Sequence, residues 1–183
     1  MPPPCESFRI VVIGIGNAYR RDDGAGPAVV ACLADRVRKG LLPSSVVLRT
    51  GDGEPARLLS WWEGAELAVV VDAARTPEAA PGRVLRLEGA EVADVSPSCG
   101  PAGSHGLGLG EALRLARVLA KLPRRLVVYG IQVEDTGFGA ELTRETRAAV
   151  EHAAERIRQE ILDHRGRGER PVAQPGDQRA TLL

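Results

Sequence analysis

Aromatic side chains are scarce in this chain: they make up 3% of its 183 residues, although hydrophobic residues make up 44%. A core of that composition is aliphatic, built from Val, Leu, Ile and Ala, and the length suits one domain. Cysteine is sparse too. Cys5, Cys32 and Cys99 are odd in number, far apart and outside any Cys-x-x-Cys spacing, which argues against a disulfide framework or a structural zinc site and points to a reducing cytoplasm. Neither sign of charge dominates. The 24 basic and 24 acidic residues cancel, so nothing global recommends nucleic acid or an anionic membrane as a partner. A basic-apolar leader is lacking before the first apolar run, and no run approaches the roughly 18 residues of a bilayer span, so a soluble protein without membrane insertion is expected. Internal repeats are also lacking.

What is present is concentrated first between Phe8 and Gly26. The β-branched run Ile10 to Ile13 has no polar alternation, the mark of a strand buried on both faces of a parallel sheet. Gly14 and Gly16 remove side chains where that strand ends, Asn17 suits a left-handed or side-chain-bonded turn, and the loop delivers Asp22 and Asp23 just before a helix starting near Gly26-Pro27. A nucleotide loop is the competing reading. It fails because the third glycine of Gly-x-Gly-x-x-Gly would fall on Tyr19, no Gly-Lys-Ser/Thr follows, and the two aspartates would repel a phosphate.

Taken in order, residues 1–7 are proline-rich and expected to be flexible, and residues 8–163 are expected to form the single domain. Pro27 to Lys39 carries Val29, Val30, Leu33 and Val37 at helical spacing, with Lys39-Gly40 as a stop. Val46 to Arg49 reads as a second strand. The turn from Gly51 to Pro55 then places Asp52 at a strand end and Pro55 at a helix start, with the helix running through Trp62. At least one of Trp61 and Trp62 should pack as core. Leu67 to Val71 reads as a central strand ending at Asp72. Arg83 to Leu87 alternates basic and apolar residues, as a half-exposed edge strand that suits antiparallel pairing does. A Gly-rich segment carrying Ser104 and His105 leads into a helix with Leu109, Leu113, Ala116 and Ala120 on one face. Arg125 to Ile131 reads as the last strand. Thr143 is placed to cap a final helix with Val150, Ala154, Ile157 and Ile161 inward. Residues 164–183, rich in Arg, Gly and Pro, are expected to be a disordered tail.

Strands alternating with helices predict an α/β fold, a three-layer α/β/α sandwich. Ligands bind such sheets outside the carboxyl ends of the strands, and that rule gathers Asp23, Asp52 and Asp72, with His105 from a later loop. Two carboxylates and an imidazole suit a hard-to-borderline metal ion, or a metal-free acid/base pair with a histidine partner. Each residue also has a plain reading: loop aspartates cap turns, and a histidine at a helix start satisfies backbone groups. His152 and His164 read as solvated. Ser104 is no partner for His105, since adjacent residues seldom face each other and no nucleophile elbow is present. Cys99 reads as a small buried thiol.

The elements Gly14-Ile15-Gly16-Asn17, Arg21-Asp22-Asp23-Gly24-Ala25-Gly26, Val71-Asp72-Ala73 and Ser104-His105-Gly106-Leu107-Gly108-Leu109 follow one another at intervals that resemble the hydrogenase maturation endopeptidases, over about Phe8 to Leu162. The resemblance implies a five-stranded, mostly parallel sheet with one antiparallel edge strand. It implies an aspartic-type, nickel-dependent protease that trims a C-terminal peptide from the large-subunit precursor of a nickel-iron hydrogenase; a monomer in the cytoplasm is expected. It places metal contact and catalysis on Asp23, Asp72 and His105, with Asn17, Asp52 and Gly53 toward substrate recognition. The nickel would be carried by the precursor, with other divalent ions able to substitute in crystals. One departure stands out: Asp52-Gly53-Glu54-Pro55 replaces the usual Asp-Gly-Gly-Thr. The alternative function on the same fold is a non-catalytic metal- or cofactor-binding module.

Overall fold

A computed structural model of the chain describes residues 9–76, 79–93 and 106–168. Five strands form one sheet: β1 (Ile10–Ile15), β2 (Val47–Gly51), β3 (Leu67–Ala74), β4 (Val84–Glu88) and β5 (Arg125–Gln132). Their order is β2-β1-β3-β5-β4, with β4 antiparallel to β5 and every other pairing parallel. The apolar runs of β1 and β3 therefore lie inside the sheet. The alternating β4 lies at its edge, half-buried along its length. This is the mostly parallel sheet with an antiparallel edge strand that the sequence led us to expect.

Among the described residues five helices complete the layers: α1 (Ala25–Arg38), α2 (Pro55–Trp62), α3 (Ala90–Ala93), α4 (Gly106–Val118) and α5 (Arg144–Gly168). Strand side chains alternate between two cores. Val12, Val69, Val71 and Tyr129 meet α1 and α5 through Val29, Leu33, Ala153 and Ile157. On the other face Val11, Ile13, Ile15, Ala68 and Val70 meet α2 and α4 through Leu58, Trp62, Leu109 and Leu113. Fully burying a side chain such as Leu58 or Ile157 is worth about 1.5–3 kcal/mol. Trp62 is the fully buried member of its pair, whereas Trp61 is half-buried.

Three local expectations change. Asp72 lies inside β3, which continues to Ala74 because Asp72, Ala73 and Ala74 keep their register with Gly130, Ile131 and Gln132. Ala120 falls beyond α4, exposed and at φ 53°, because the helix stops at Val118 and the chain turns there. Helix α5 runs past the expected domain end at residue 163, through His164 to Gly168, with Arg165 Nη1 donating to Ser45 Oγ at 3.2 Å. Residues 1–7 and the tail beyond Gly168 lie outside the described residues, as do Cys5, Cys99, Ser104 and His105.

Candidate active site

The register of the sheet brings its carboxyl ends to one level. Gly14 pairs with Val71 and Ile15 with Gly51, so Ile15, Gly51 and Asp72 stand abreast on three neighbouring strands. Here the strand order reverses about β1, and a crevice forms where the connections leave in opposite directions. Asp72 continues the series Ala68, Val70 and so projects into the α2/α4 layer, the side on which α4 begins.

Asp23 reaches the same place by close backbone packing. After β1 the chain makes a short 3-10 turn, Arg21–Gly24, and enters α1 directly. A Cβ on Gly16, whose φ is +138°, would stand 1.9 Å from the Asp23 carbonyl oxygen, and one on Gly26 would stand 2.3 Å from that of Ile15 and 2.8 Å from that of Val71. Only glycine permits this approach, which presses the entry to α1 onto the tips of β1 and β3. Asn17 then holds the acid. Its N–H donates to Asp23 Oδ2 at 2.9 Å while its own Oδ1 accepts from the Tyr19 N–H at 2.9 Å, the side-chain-bonded turn expected of it.

Asp23 and Asp72 are both buried, at 3% and 8% exposure. Burial, and secondarily the negative charge of Asp23, push the Asp72 carboxyl up to about 7, against a smaller lowering from the Ala73 backbone N–H. Oδ1 of Asp72 is buried with no hydrogen-bond partner among the described residues. An orphaned carboxylate oxygen facing a second buried acid fits a cation, and it equally fits a proton waiting to be moved. Among the described residues no group of three or more His, Cys, Asp or Glu is arranged to hold a metal, and His105, which precedes α4 in the chain, lies outside them.

The neighbouring aspartate has a different role. Asp22, fully buried, accepts from the Thr143 N–H at 2.7 Å and the Thr143 hydroxyl at 2.9 Å, while the Thr143 hydroxyl also accepts from the Thr146 N–H at 3.4 Å to cap α5. It ties the loop after β5 to the loop after β1. No local signal separates the two acids, because the partners of Asp22 lie 121 positions away. Asp52 is exposed: its Oδ1 accepts from the Glu54 N–H at 3.3 Å and pairs with Arg57 at 3.2 Å. The departure at Glu54-Pro55 is a helix start. Glu54 caps α2 by accepting from the N–H groups of Ala56 at 2.9 Å and Arg57 at 2.8 Å, and Pro55 occupies the first turn. Gly53 is buried at φ 81°, under the first turns of α4.

A cleft of about 420 Å³ opens at the ends of β3 and β5, lined by Arg75, Thr76, Gln132 and Glu134 among others. Buried Gln132 shapes it by donating from Nε2 to the Thr76 carbonyl at 3.1 Å and accepting from the Thr76 hydroxyl at 3.2 Å. Sequence reasoning passed over this pair, whose only signal was a polar residue closing an apolar strand.

Fold and site together define a doubly wound α/β protein with a paired-carboxylate centre at the switch point of its sheet. The family model described as hydrogenase maturation protease matches residues 32–160, and the chain belongs to that family. It is 28% identical over 150 residues to the hydrogenase 2 maturation protease of Escherichia coli K12, spanning 82% of this chain and 88% of that protein. To the hydrogenase expression/formation protein HoxM of Azotobacter vinelandii it is 31% identical over 158 residues, 86% of this chain and 73% of that one. The solved hydrogenase maturating endopeptidase HybD from E. coli superposes with a TM-score of 0.72 at 26% identity, covering 85% of this chain and 93% of that chain.

Proposed function

We propose that this protein is the endopeptidase that cuts a C-terminal peptide from the nickel-loaded large-subunit precursor of a nickel-iron hydrogenase. Its membership of the hydrogenase maturation protease family supports the reaction class. The observation that carries the site is the orphaned Oδ1 of Asp72, buried beside Asp23 at the sheet's switch point. On this reading the nickel arrives as part of the substrate, and Asp23, Asp72 and His105 are the residues that touch it. A cation between the two acids relieves their repulsion, so the pair recognises a loaded precursor over an empty one.

A carboxylate-bound cation polarises the scissile carbonyl. A carboxylate of the pair left free of the ion takes a proton from the attacking water and returns it to the leaving amine as the C–N bond breaks, in the manner of an aspartic-type peptidase. The protein works as a monomer in the cytoplasm. Cys32, a free thiol, agrees with a reducing compartment, and no helix among the described residues is long and apolar enough to cross a membrane.

Incubation with nickel-loaded precursor followed by mass spectrometry tests the reading. The precursor should lose the mass of one C-terminal peptide with the wild type and none with Asp23→Asn, Asp72→Asn or His105→Ala. A precursor of unchanged mass with the wild type points instead to a non-catalytic metal-binding module. Equilibrium dialysis should find only weak nickel binding to the protein alone; tight stoichiometric binding would contradict a substrate-borne ion.

A further inference from the structure

Two of the chain's six aromatic side chains stand in solvent at the end of the sheet that carries this site: Tyr19 is 78% exposed and Phe138 92%. Both lie on loops at the carboxyl end of the sheet, Tyr19 between β1 and the turn that carries Asp23, Phe138 between β5 and α5. Such loops, if loose, would present nothing definite to a partner. These are locked together: the Gly139 N–H donates to the Tyr19 carbonyl at 3.0 Å, the Arg21 N–H to the Gly139 carbonyl at 2.7 Å, and the Asp22 N–H to the Asp135 carbonyl at 3.0 Å. Arg21 adds an ion pair to Asp135, and Arg20 Nε donates to the Thr136 carbonyl at 3.3 Å. Arg21 sits at φ 42°, a conformation that costs a non-glycine residue roughly 1–3 kcal/mol and persists only where surrounding bonds fix it. The ladder therefore holds the backbone that carries the two exposed rings in one arrangement, with a cleft of about 390 Å³ beside it lined by Arg21, Gly139, Ala140, Glu141, Leu142 and Thr143.

We infer that Tyr19 and Phe138 form an aromatic docking rim for the folded body of the protein substrate. The inference rests on the endopeptidase reading above and extends it to how the substrate is gripped. Its occupant follows from continuity. The segment that presents Tyr19 runs within a few residues into Asp23, so a protein substrate engaged at the acid pair lies next to the loop that carries Tyr19. Aromatics on a firmly held backbone are the residue type that anchors protein interfaces, since they bury a large area while losing little side-chain freedom. A rim outside the reacting centre contributes to binding and leaves the chemical step alone.

Isothermal titration and cleavage kinetics with nickel-loaded precursor test this, using Tyr19→Ala/Phe138→Ala, Tyr19→Phe, and Val118→Ala as an exposed control at the far end of α4. The double variant should melt as the wild type does, bind the precursor at least tenfold more weakly, and raise KM at least tenfold with kcat within twofold. Tyr19→Phe and Val118→Ala should match the wild type. Unchanged precursor affinity in the double variant overturns the inference, as does a fall in kcat at unchanged KM. If the wild type binds the precursor but leaves its mass unchanged, the peptidase reading falls while the titration still decides the rim.

Discussion

Gly108, in the second position after the start of α4, stands against the carbonyl oxygen of Gly53: a Cβ at Gly108 would lie 2.2 Å from it. Backbone-to-backbone packing at this point fixes how deeply α4 sits over the loop that follows β2. It also fixes the starting point of the helix that His105 precedes. Gly108→Ala should therefore shift α4 outward, costing about 1–3 kcal/mol by overpacking and reducing precursor trimming at least tenfold. Gly166→Ala, which meets nothing within 4 Å in α5, should leave trimming intact and be neutral or slightly stabilising. Urea unfolding and a trimming assay on both variants check this pair.

Asp72 makes the metal-free protein pH-sensitive in a defined direction. Its carboxyl, normally near 3.8, is pushed up to about 7, so the folded state holds the proton more tightly than the unfolded chain does. The stability this contributes is complete below 3.8 and is lost as pH rises through about 7. The total is at most about 4 kcal/mol. Asp72→Asn should abolish trimming yet gain stability relative to the wild type above pH 7, with the gap narrowing in acid. Thermal melts from pH 4 to 8 would show it, and parallel curves would refute it.

Glu160 behaves in the opposite sense. Burial opposes its ionisation, but hydrogen bonds from Arg86 and Arg125, with help from Tyr129, outweigh it and hold the carboxyl at about 2. Stability from this group is present above its ordinary 4.5 and is lost as pH falls toward 2. Glu160→Gln should cost about 2 kcal/mol at pH 7 and progressively less below pH 4.5, without affecting trimming. Denaturant titrations at pH 7 and pH 3 make the comparison.

The Asp22–Thr143 tie should be worth more through its acid than through its hydroxyl. Asp22→Asn turns an oxygen that faces N–H and O–H donors into a possible donor, with an expected loss of about 2–3 kcal/mol, whereas Thr143→Val removes one bond for about 1 kcal/mol. Amide hydrogen exchange at Thr143 should quicken more in the first variant. Trimming should fall in the same order, because the turn that Asp22 anchors also carries Asp23.

Much of this was legible along the chain. The runs at Ile10 and Leu67 announce central strands, the alternation after Arg83 announces an edge, and the stripe from Val150 to Ile161 announces the inner face of α5. Misreadings came where an element outlasts its apolar pattern. β3 outlasts its apolar run because β5 continues to pair with it through Gln132, and α5 passes residue 163 although its sequence there is polar. Glu54 as a cap was hidden by reading its turn for ligands rather than for orphan N–H groups.

Sequence by itself determined the strands, the glycines that let α1 close onto β1, and the set of acids delivered to one end of the sheet. These follow from short-range sterics and side-chain periodicity, which act between near neighbours. Tertiary structure decided which acid does what. Asp22 and Asp23 are adjacent and chemically identical, yet Thr143 and Asp135 claim the first, while Asp72 on a neighbouring strand faces the second in a shared, water-poor crevice. Charge and hydrogen bonding act through space, so the assignment appears only once the sheet has set those groups side by side.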